Sequence, residues 1–88
     1  MTGWNNALLL TASATKLTLV GAHRVIVREH RERLTGGNWL SAVVLWRGEH
    51  HRIDTGQLAY ESWTENIVAM ASRLAVLAAR LSAKAAHS

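Results

Sequence analysis

The last third of the sequence constrains the fold most, because it predicts one long helix that needs an apolar surface to pack on. From residue 63 to residue 85 the chain is rich in alanine and leucine, which are strong helix formers. Ser62 and Glu65 have the spacing of a capping box, and Arg80 and Lys84 suit the negative end of the helix dipole. Apolar side chains recur every three or four residues and form one stripe: Trp63, Ile67, Ala71, Leu74, Ala78 and Leu81.

Residues 39–54 are predicted to form a β-hairpin, and one face of this hairpin provides the apolar surface on which the helix packs. A run rich in valine and tryptophan ends at Arg47-Gly48, which has the length of a two-residue hairpin loop. The resulting register pairs Trp46 with Glu49, Val44 with His51, and Ala42 with Ile53. The face that should receive the helix carries Ala42, Val44, Trp46 and Ile53. The opposite face carries Ser41, Val43, Leu45, His50 and Arg52, and its apolar members indicate that something covers it.

The segments before the hairpin are less determined. Val25 and Val27 alternate with arginines and favour a strand over residues 23–34, although opposite charges four residues apart are also typical of an exposed helix. We prefer the strand, because residues 35–38 suit a turn into the hairpin. Lys16 to Val20 is then predicted as a further strand that ends at Gly21-Ala22. Residues 4–14 stay open between helix and strand.

These elements predict an α+β fold, a small antiparallel β-meander of three to four strands packed against one long C-terminal α-helix. The 88 residues fit a single domain spanning residues 1–88, and 49% of them are hydrophobic, enough for a core. The chain has no cysteine, which excludes disulfides and thiolate metal sites. Without a convincing targeting or membrane segment near the N-terminus, we expect a cytoplasmic protein that does not bind membranes.

The length of the C-terminal helix leads to a further expectation. Residues 63–85 span about 34 Å as a helix, whereas a six-residue strand spans about 20 Å. The helix must therefore extend beyond the sheet. Its alanine-rich far half permits a close approach of another helix, so we expect either fraying there or a homodimer through this helix.

Arginine and tryptophan mark the residues predicted to bind a partner. The net charge is +4, and both residue types are enriched in binding hot spots. Trp46 and Trp63 lie on apolar stripes and are predicted to be buried. The sequence does not assign Trp4 and Trp39 to the core or to the surface. Glu29, Glu32 and Glu49 should neutralise part of the arginine charge. The predicted partner-binding residues are Arg24, Arg28, Arg31, Arg33, Trp39, Arg47 and Arg52.

The sequence offers little that resembles catalytic machinery. Glu49-His50-His51 with Asp54 is the one cluster that could act as an acid–base set or a metal site. Adjacent histidines on a strand point to opposite faces, which argues against a shared metal ion. The serines lie in no nucleophile motif, and Gly36-Gly37 lacks the spacing of a phosphate-binding loop. We therefore predict no catalytic residue, no metal and no cofactor, and keep an enzyme or toxin centred on His50, His51 and Asp54 as a third hypothesis.

In size and layout, a short meander closed by one C-terminal helix, the chain resembles the small inhibitors that phages encode against bacterial defences, including anti-CRISPR proteins. That resemblance implies a non-enzymatic module that acts by occupying a protein surface. Many such inhibitors are acidic mimics of nucleic acid, whereas this chain is basic, which argues against mimicry. The alternative is a basic nucleic-acid-binding or regulatory protein that uses the arginines.

Overall fold

A computed structural model describes residues 2–31, 34, 37–56 and 63–87, with side chains from residue 8 onward. Within these residues two helices flank three strands along the chain. The elements are α1 (Thr2–Leu19), β1 (Arg24–Arg31), β2 (Asn38–Trp46), β3 (Glu49–Asp54) and α2 (Trp63–Ala86). The predicted α+β fold is confirmed, and the N-terminal helix is an addition to it.

Strands β2 and β3 form the hairpin in the predicted register. Trp46 pairs with Glu49, Val44 with His51 and Ala42 with Ile53. Arg47 and Gly48 both have positive φ angles, 49° and 80°. Two positive φ angles define the turn type whose twist matches that of the two strands it joins.

Residues 24–31 are a strand, so the preferred interpretation of the 23–34 segment is confirmed for the described part and the helical alternative is wrong. Strand β1 pairs antiparallel with β2, with Val25 opposite Val44 and Val27 opposite Ala42. The strand order is β1-β2-β3, a simple meander with β2 in the centre. Residues 35 and 36 of the proposed turn at residues 35–38 lie outside the described residues.

The predicted strand at Lys16 to Val20 is wrong, because α1 continues to Leu19. Threonines favour strands when they stand alone, but here the Thr15 and Thr18 hydroxyls donate to the carbonyl oxygens of Thr11 and Ala14, one turn earlier. Leu17 is completely buried in the core. Packing of α1 against α2 thus overrides the local preference, and it also settles residues 4–14 as helix.

Both helices lie on the same face of the sheet, α1 over β1 and α2 over β2 and β3. The core between them and the sheet contains Leu17, Leu40, Ala42, Val44, Trp46, Met70, Leu74 and Leu81, among others. Trp46 is 1% exposed and its indole Nε1 donates to the Val20 carbonyl at 2.9 Å, which confirms its predicted place in the core. The same prediction for Trp63 is wrong. This residue is 40% exposed at the start of α2, although the rest of the predicted stripe is buried.

Helix α2 packs on α1. Ala78 and Leu81 are buried, and the helix continues to Ala86. Helix α1 of the same chain therefore covers part of the long helix α2. A homodimer through α2 stays a prediction. Helix α2 is also long and apolar enough to cross a membrane, but in the fold its apolar stripe faces the core. The capping box lies partly outside the described residues.

A buried polar network ties the start of α2 to the sheet. The Thr55 hydroxyl accepts from the Leu40 amide and donates to Asn66 Oδ1, both at 2.8 Å. The Asn66 side-chain amide donates to the Asn38 carbonyl at 3.0 Å. Thr55 and Asn66 are fully buried, so each of these partners replaces water that the core excludes.

Candidate binding surface

The side of the sheet away from the helices is the candidate site, and we call it the open face. Residues opposite each other in an antiparallel pair share a face, so the register assigns every side chain. No described element packs on this side. The open face consists of Arg24, Ile26, Arg28 and His30 from β1, Trp39, Ser41, Val43 and Leu45 from β2, and His50, Arg52 and Asp54 from β3.

The centre of the open face is apolar. Ile26 lies opposite Val43, and Leu45 is the next residue of β2 on the same face. All three side chains are half-buried, although no helix covers them. A shallow concavity of about 320 Å³ lies beside them, lined by Ile26, Arg28, His30, Ser41, Val43 and Arg52.

A ring pair closes one end of the open face. The His30 and Trp39 rings are stacked, with centroids 5.0 Å apart and planes 12° from parallel. His30 Nε2 also shares a 2.7 Å hydrogen bond with the Ser41 hydroxyl, which explains how Ser41 is buried on a face without cover. The stack and the hydrogen bond hold both rings in place and pre-organise this end of the surface.

The rim of the open face is cationic. Arg24, Arg28 and Arg52 lie on its two outer strands, and Asp54 is the carboxylate that the described strands place on this side. Asp54 already accepts a hydrogen bond from the Gly56 amide at 3.2 Å. Glu29 pairs with Leu40 and Glu49 with Trp46, so both point to the helix side. Strand alternation therefore separates these two acids from the three arginines of the open face, and Glu32 lies outside the described residues.

The structure separates the predicted partner-binding residues into groups. Four of them share the open face: Arg24, Arg28, Trp39 and Arg52. Arg31 points to the other side and donates from Nε to Asn38 Oδ1 at 3.2 Å. Arg47 lies in the hairpin turn with its guanidinium 4.7 Å from the Trp46 ring centroid. Arg33 and the Trp4 side chain lie outside the described residues.

Sequence reasoning missed His30 and Ile26 as members of the surface. The alternation of β1 places Ile26 and His30 on the same side as Arg24 and Arg28, and that signal was present in the sequence. The contacts of His30 with Trp39 and Ser41 depend on the β1–β2 register. The sequence does not fix that register, because the connection between these strands is longer than a two-residue turn.

The cluster of His50, His51 and Asp54 lies on an extended strand. His50 is on the open face, whereas His51 is on the helix side and shares a 3.0 Å hydrogen bond between Nε2 and Glu49 Oε1. Within the described residues no three histidine or acidic side chains are placed to hold a metal ion. The catalytic hypothesis for this cluster therefore gains no geometric support.

Glu49 links the hairpin to the end of α2. Lys84 Nζ lies 3.1 and 3.0 Å from the two Glu49 carboxylate oxygens. Hydrogen bonds from Lys84 and then from His51 lower the pKa of Glu49 below its ordinary value. Lys84 also lies 5.6 Å from the Trp46 ring centroid. This cluster joins structural elements and is distinct from the open face.

Comparisons with protein-family models, with curated proteins and with solved structures find no match to this chain. The function must therefore be argued from the surfaces themselves. Of these, the open face combines an apolar centre, a fixed pair of rings and a cationic rim.

Proposed function

We propose that this protein is a non-enzymatic binding module whose open face binds a protein partner with an acidic surface. The observation that carries the proposal is the position of Arg24, Arg28 and Arg52 around Ile26, Val43 and Leu45, which no described element covers. A desolvated apolar centre with a polar rim is the usual anatomy of a protein interface. The arginine rim favours acidic partners, since guanidinium groups bind carboxylates in a bidentate manner.

Nucleic acid is the second candidate, and the aromatic geometry supports it less well. Proteins that bind single strands usually offer free aromatic faces on which bases stack. In this surface the His30 ring already occupies one face of Trp39. The aliphatic centre offers nothing for a phosphate or a base edge to bond with.

The size of the open face limits the expected affinity. Strand spacings give a flat area of about 350–400 Å², roughly half of the ~800 Å² per partner in a standard interface. We therefore expect a transient complex, unless the partner also contacts neighbouring parts of this chain.

The finer parts of the proposal rest on the resemblance in layout and on composition. We propose that binding inhibits the partner by occupying its surface, as a phage or mobile-element inhibitor of a bacterial defence would do. The absence of cysteine supports a cytoplasmic site of action. Homodimerisation through α2 belongs to the same proposal, supported by the exposed Val68, and sedimentation at micromolar concentration tests it.

Affinity capture from a bacterial lysate, with and without nuclease, tests the main proposal. We expect the wild-type protein to retain a protein in both arms. The triple variant Arg24→Gln/Arg28→Gln/Arg52→Gln should lose it. The control for Arg24→Gln/Arg28→Gln, which removes the same number of charges, is Arg31→Gln/Arg47→Gln. It removes two arginines that do not lie on the open face and should retain the partner.

Two results would overturn the proposal. Capture that disappears with nuclease, and weakens steeply as salt rises, would identify nucleic acid as the partner. Equal loss of capture in the triple variant and the control would mean that total charge, and not the open face, determines binding.

A further inference from the structure

A second surface lies between the outer edge of β3 and helix α2. It is a groove of about 610 Å³. One wall is formed by residues 50–54 of β3, and the other by Ser72, Arg73, Val76, Leu77 and Arg80 of α2. Successive residues of β3 point to opposite sides of the sheet, yet residues 50–54 all line this groove. The groove therefore runs along the strand edge itself.

The edge of β3 presents backbone groups to this groove. The Thr55 amide donates to the Leu40 carbonyl of β2 at 2.8 Å. Antiparallel hydrogen-bonded pairs recur at every second residue, so Ile53 and His51 also direct their backbone groups to β2. His50, Arg52 and Asp54 must direct theirs outward. Arg73 agrees with this assignment, because its Nη1 binds the Asp54 carbonyl from the groove side at 2.7 Å.

The charge of the groove is strongly one-sided. Arg52, Arg73 and Arg80 line it together with two histidines, and Asp54 is the one acid among the lining residues that the structure describes. Val76 lies between Arg73 and Arg80 along the helix and is 51% exposed. The helix wall thus offers an apolar contact between two cations.

We propose that this groove binds an extended acidic peptide segment as an additional strand on β3. The peptide backbone pairs with the outward amides and carbonyls of His50 and Arg52, which gives affinity without regard to side chains. Carboxylates on the side facing α2 bind Arg73 and Arg80. The groove shares the edge residues His50, Arg52 and Asp54 with the open face, but peptide binding in it does not depend on the function proposed for that face.

Helix and strand spacings define the sequence pattern of the peptide. Arg73 and Arg80 are seven residues apart, about 10.5 Å along the helix. Residues i and i+4 of a strand point the same way about 13 Å apart, a difference that the long arginine side chains accommodate. Residue i+2 then lies over Val76. The preferred pattern is acidic, any residue, apolar, any residue, acidic.

Charge argues against other occupants. The β3 edge of a second copy would bring Arg52, His50 and His51 into a groove that is already cationic. Nucleic acid satisfies the arginines but has no alternating amide donors and acceptors to pair with a strand edge. An acidic peptide satisfies both.

The test uses a fluorescein-labelled peptide of sequence Ser-Glu-Thr-Val-Thr-Glu-Ser, with the full-length protein at low salt. We expect saturable binding by fluorescence anisotropy. The same peptide with lysine in place of both glutamates should bind about tenfold more weakly or not at all. Two further peptides carry backbone N-methyl groups on opposite sets of alternate residues. The peptide methylated at the amides that pair with β3 should lose binding. The peptide methylated at the other amides should bind like the parent.

Amide exchange locates the site on the protein. On peptide binding, exchange should slow at His50, Arg52 and Asp54. The outer edge of β1 is the internal control, so exchange at Val25 and Val27 should not change. Arg73→Gln/Arg80→Gln should weaken peptide binding about tenfold or more. Arg80→Gln alone should weaken it in part and leaves the bond from Arg73 to Asp54 intact.

The matched protein control is Arg24→Gln/Arg28→Gln, which alters the open face and should leave peptide affinity unchanged. The proposal is overturned if millimolar peptide leaves exchange at the β3 edge unchanged, or if the lysine peptide binds equally well. A competition experiment tests nucleic acid as the occupant. If a ten-nucleotide oligothymidine displaces the labelled peptide more strongly than the unlabelled peptide does, the groove is assigned to nucleic acid instead. Arg52 belongs to both surfaces, whereas Arg24 and Arg28 lie only on the open face, and Arg73 and Arg80 only in the groove. The two double variants therefore distinguish failure of this proposal from failure of the open-face proposal.

Discussion

The two faces of the central strand β2 have similar apolar content but very different surroundings. Leu40, Ala42, Val44 and Trp46 are buried under the helices, whereas Val43 and Leu45 are half-buried on a side that no described element covers. By its apolar content alone, either face could pack against a hydrophobic core. The comparison teaches that alternation identifies the faces, but the cover decides which one is core. An apolar face bordered by arginines supports the proposal that this side binds a partner.

The largest expected contrast is between the two tryptophans of β2. Trp46→Ala removes a fully buried ring and should lower the free energy of unfolding by about 3–5 kcal/mol. Trp39→Ala removes a half-buried ring on the open face and should cost about 1 kcal/mol. Urea unfolding followed by circular dichroism measures both, since it does not depend on tryptophan fluorescence.

Trp46→Phe is the control for this pair. It keeps an aromatic ring in the core but loses the Nε1 hydrogen bond to the Val20 carbonyl. Its stability should therefore lie between the wild-type protein and Trp46→Ala. Equal losses for Trp46→Ala and Trp39→Ala would show that both faces are covered, and the comparison would fail.

The second contrast sets the buried polar network against the polar group of the open face. Thr55→Val keeps the shape of the side chain but leaves the Leu40 amide and Asn66 Oδ1 without their partner in the core. We expect a loss of about 2–3 kcal/mol, and of no more than about 1 kcal/mol for Ser41→Ala, whose partner His30 can turn to water. Thr55→Ser retains the hydroxyl and should recover most of the loss. A neutral Thr55→Val would contradict the role assigned to this network.

The smallest effect is expected at Glu49, which is exposed on the helix side of β3. Its folded-state pKa is lowered by hydrogen bonds from Lys84 and His51, so its contribution to stability is complete above the ordinary pKa of 4.5 and is lost as the pH falls through the lowered value. Glu49→Gln should therefore reduce Tm at pH 7, and the difference from wild type should shrink in acid. Glu29→Gln on β1 is the control. A difference in Tm between wild type and Glu49→Gln that is independent of pH would exclude this linkage.

Much of the sheet could be predicted from the sequence, because its signals are local. The turn at Arg47-Gly48 fixes the β2–β3 register, and the period of two then assigns each side chain of the hairpin to a face. Of the four predicted binding residues that share the open face, Trp39 and Arg52 lie on this hairpin, whereas the place of Arg24 and Arg28 depends on the β1–β2 register. The prediction for Trp63 was wrong because Trp63 is the first residue of α2 and lies beyond the edge of the core, although it belongs to the apolar stripe of the helix.

The rest depends on contacts between distant segments. The sequence left residues 4–14 open and wrongly assigned residues 16–20 to a strand, because Thr11, Thr15 and Thr18 weaken the helical signal and the packing of α1 on α2 is not visible in a local pattern. The His30–Trp39 stack depends on the register between β1 and β2. The groove beside β3 depends on the position of α2, which the hairpin alone does not define.

The most direct test of the open face as a binding surface is an NMR titration. The captured protein partner is added to the labelled protein, and the side-chain methyl signals are followed. We predict that Ile26, Val43 and Leu45 shift or broaden, while the core methyls of Val44 and Leu74 change little. Shifts confined to exposed methyls on the helices, such as Leu8 and Val68, would place the interface on the opposite side of the molecule and contradict the assignment of function to the open face.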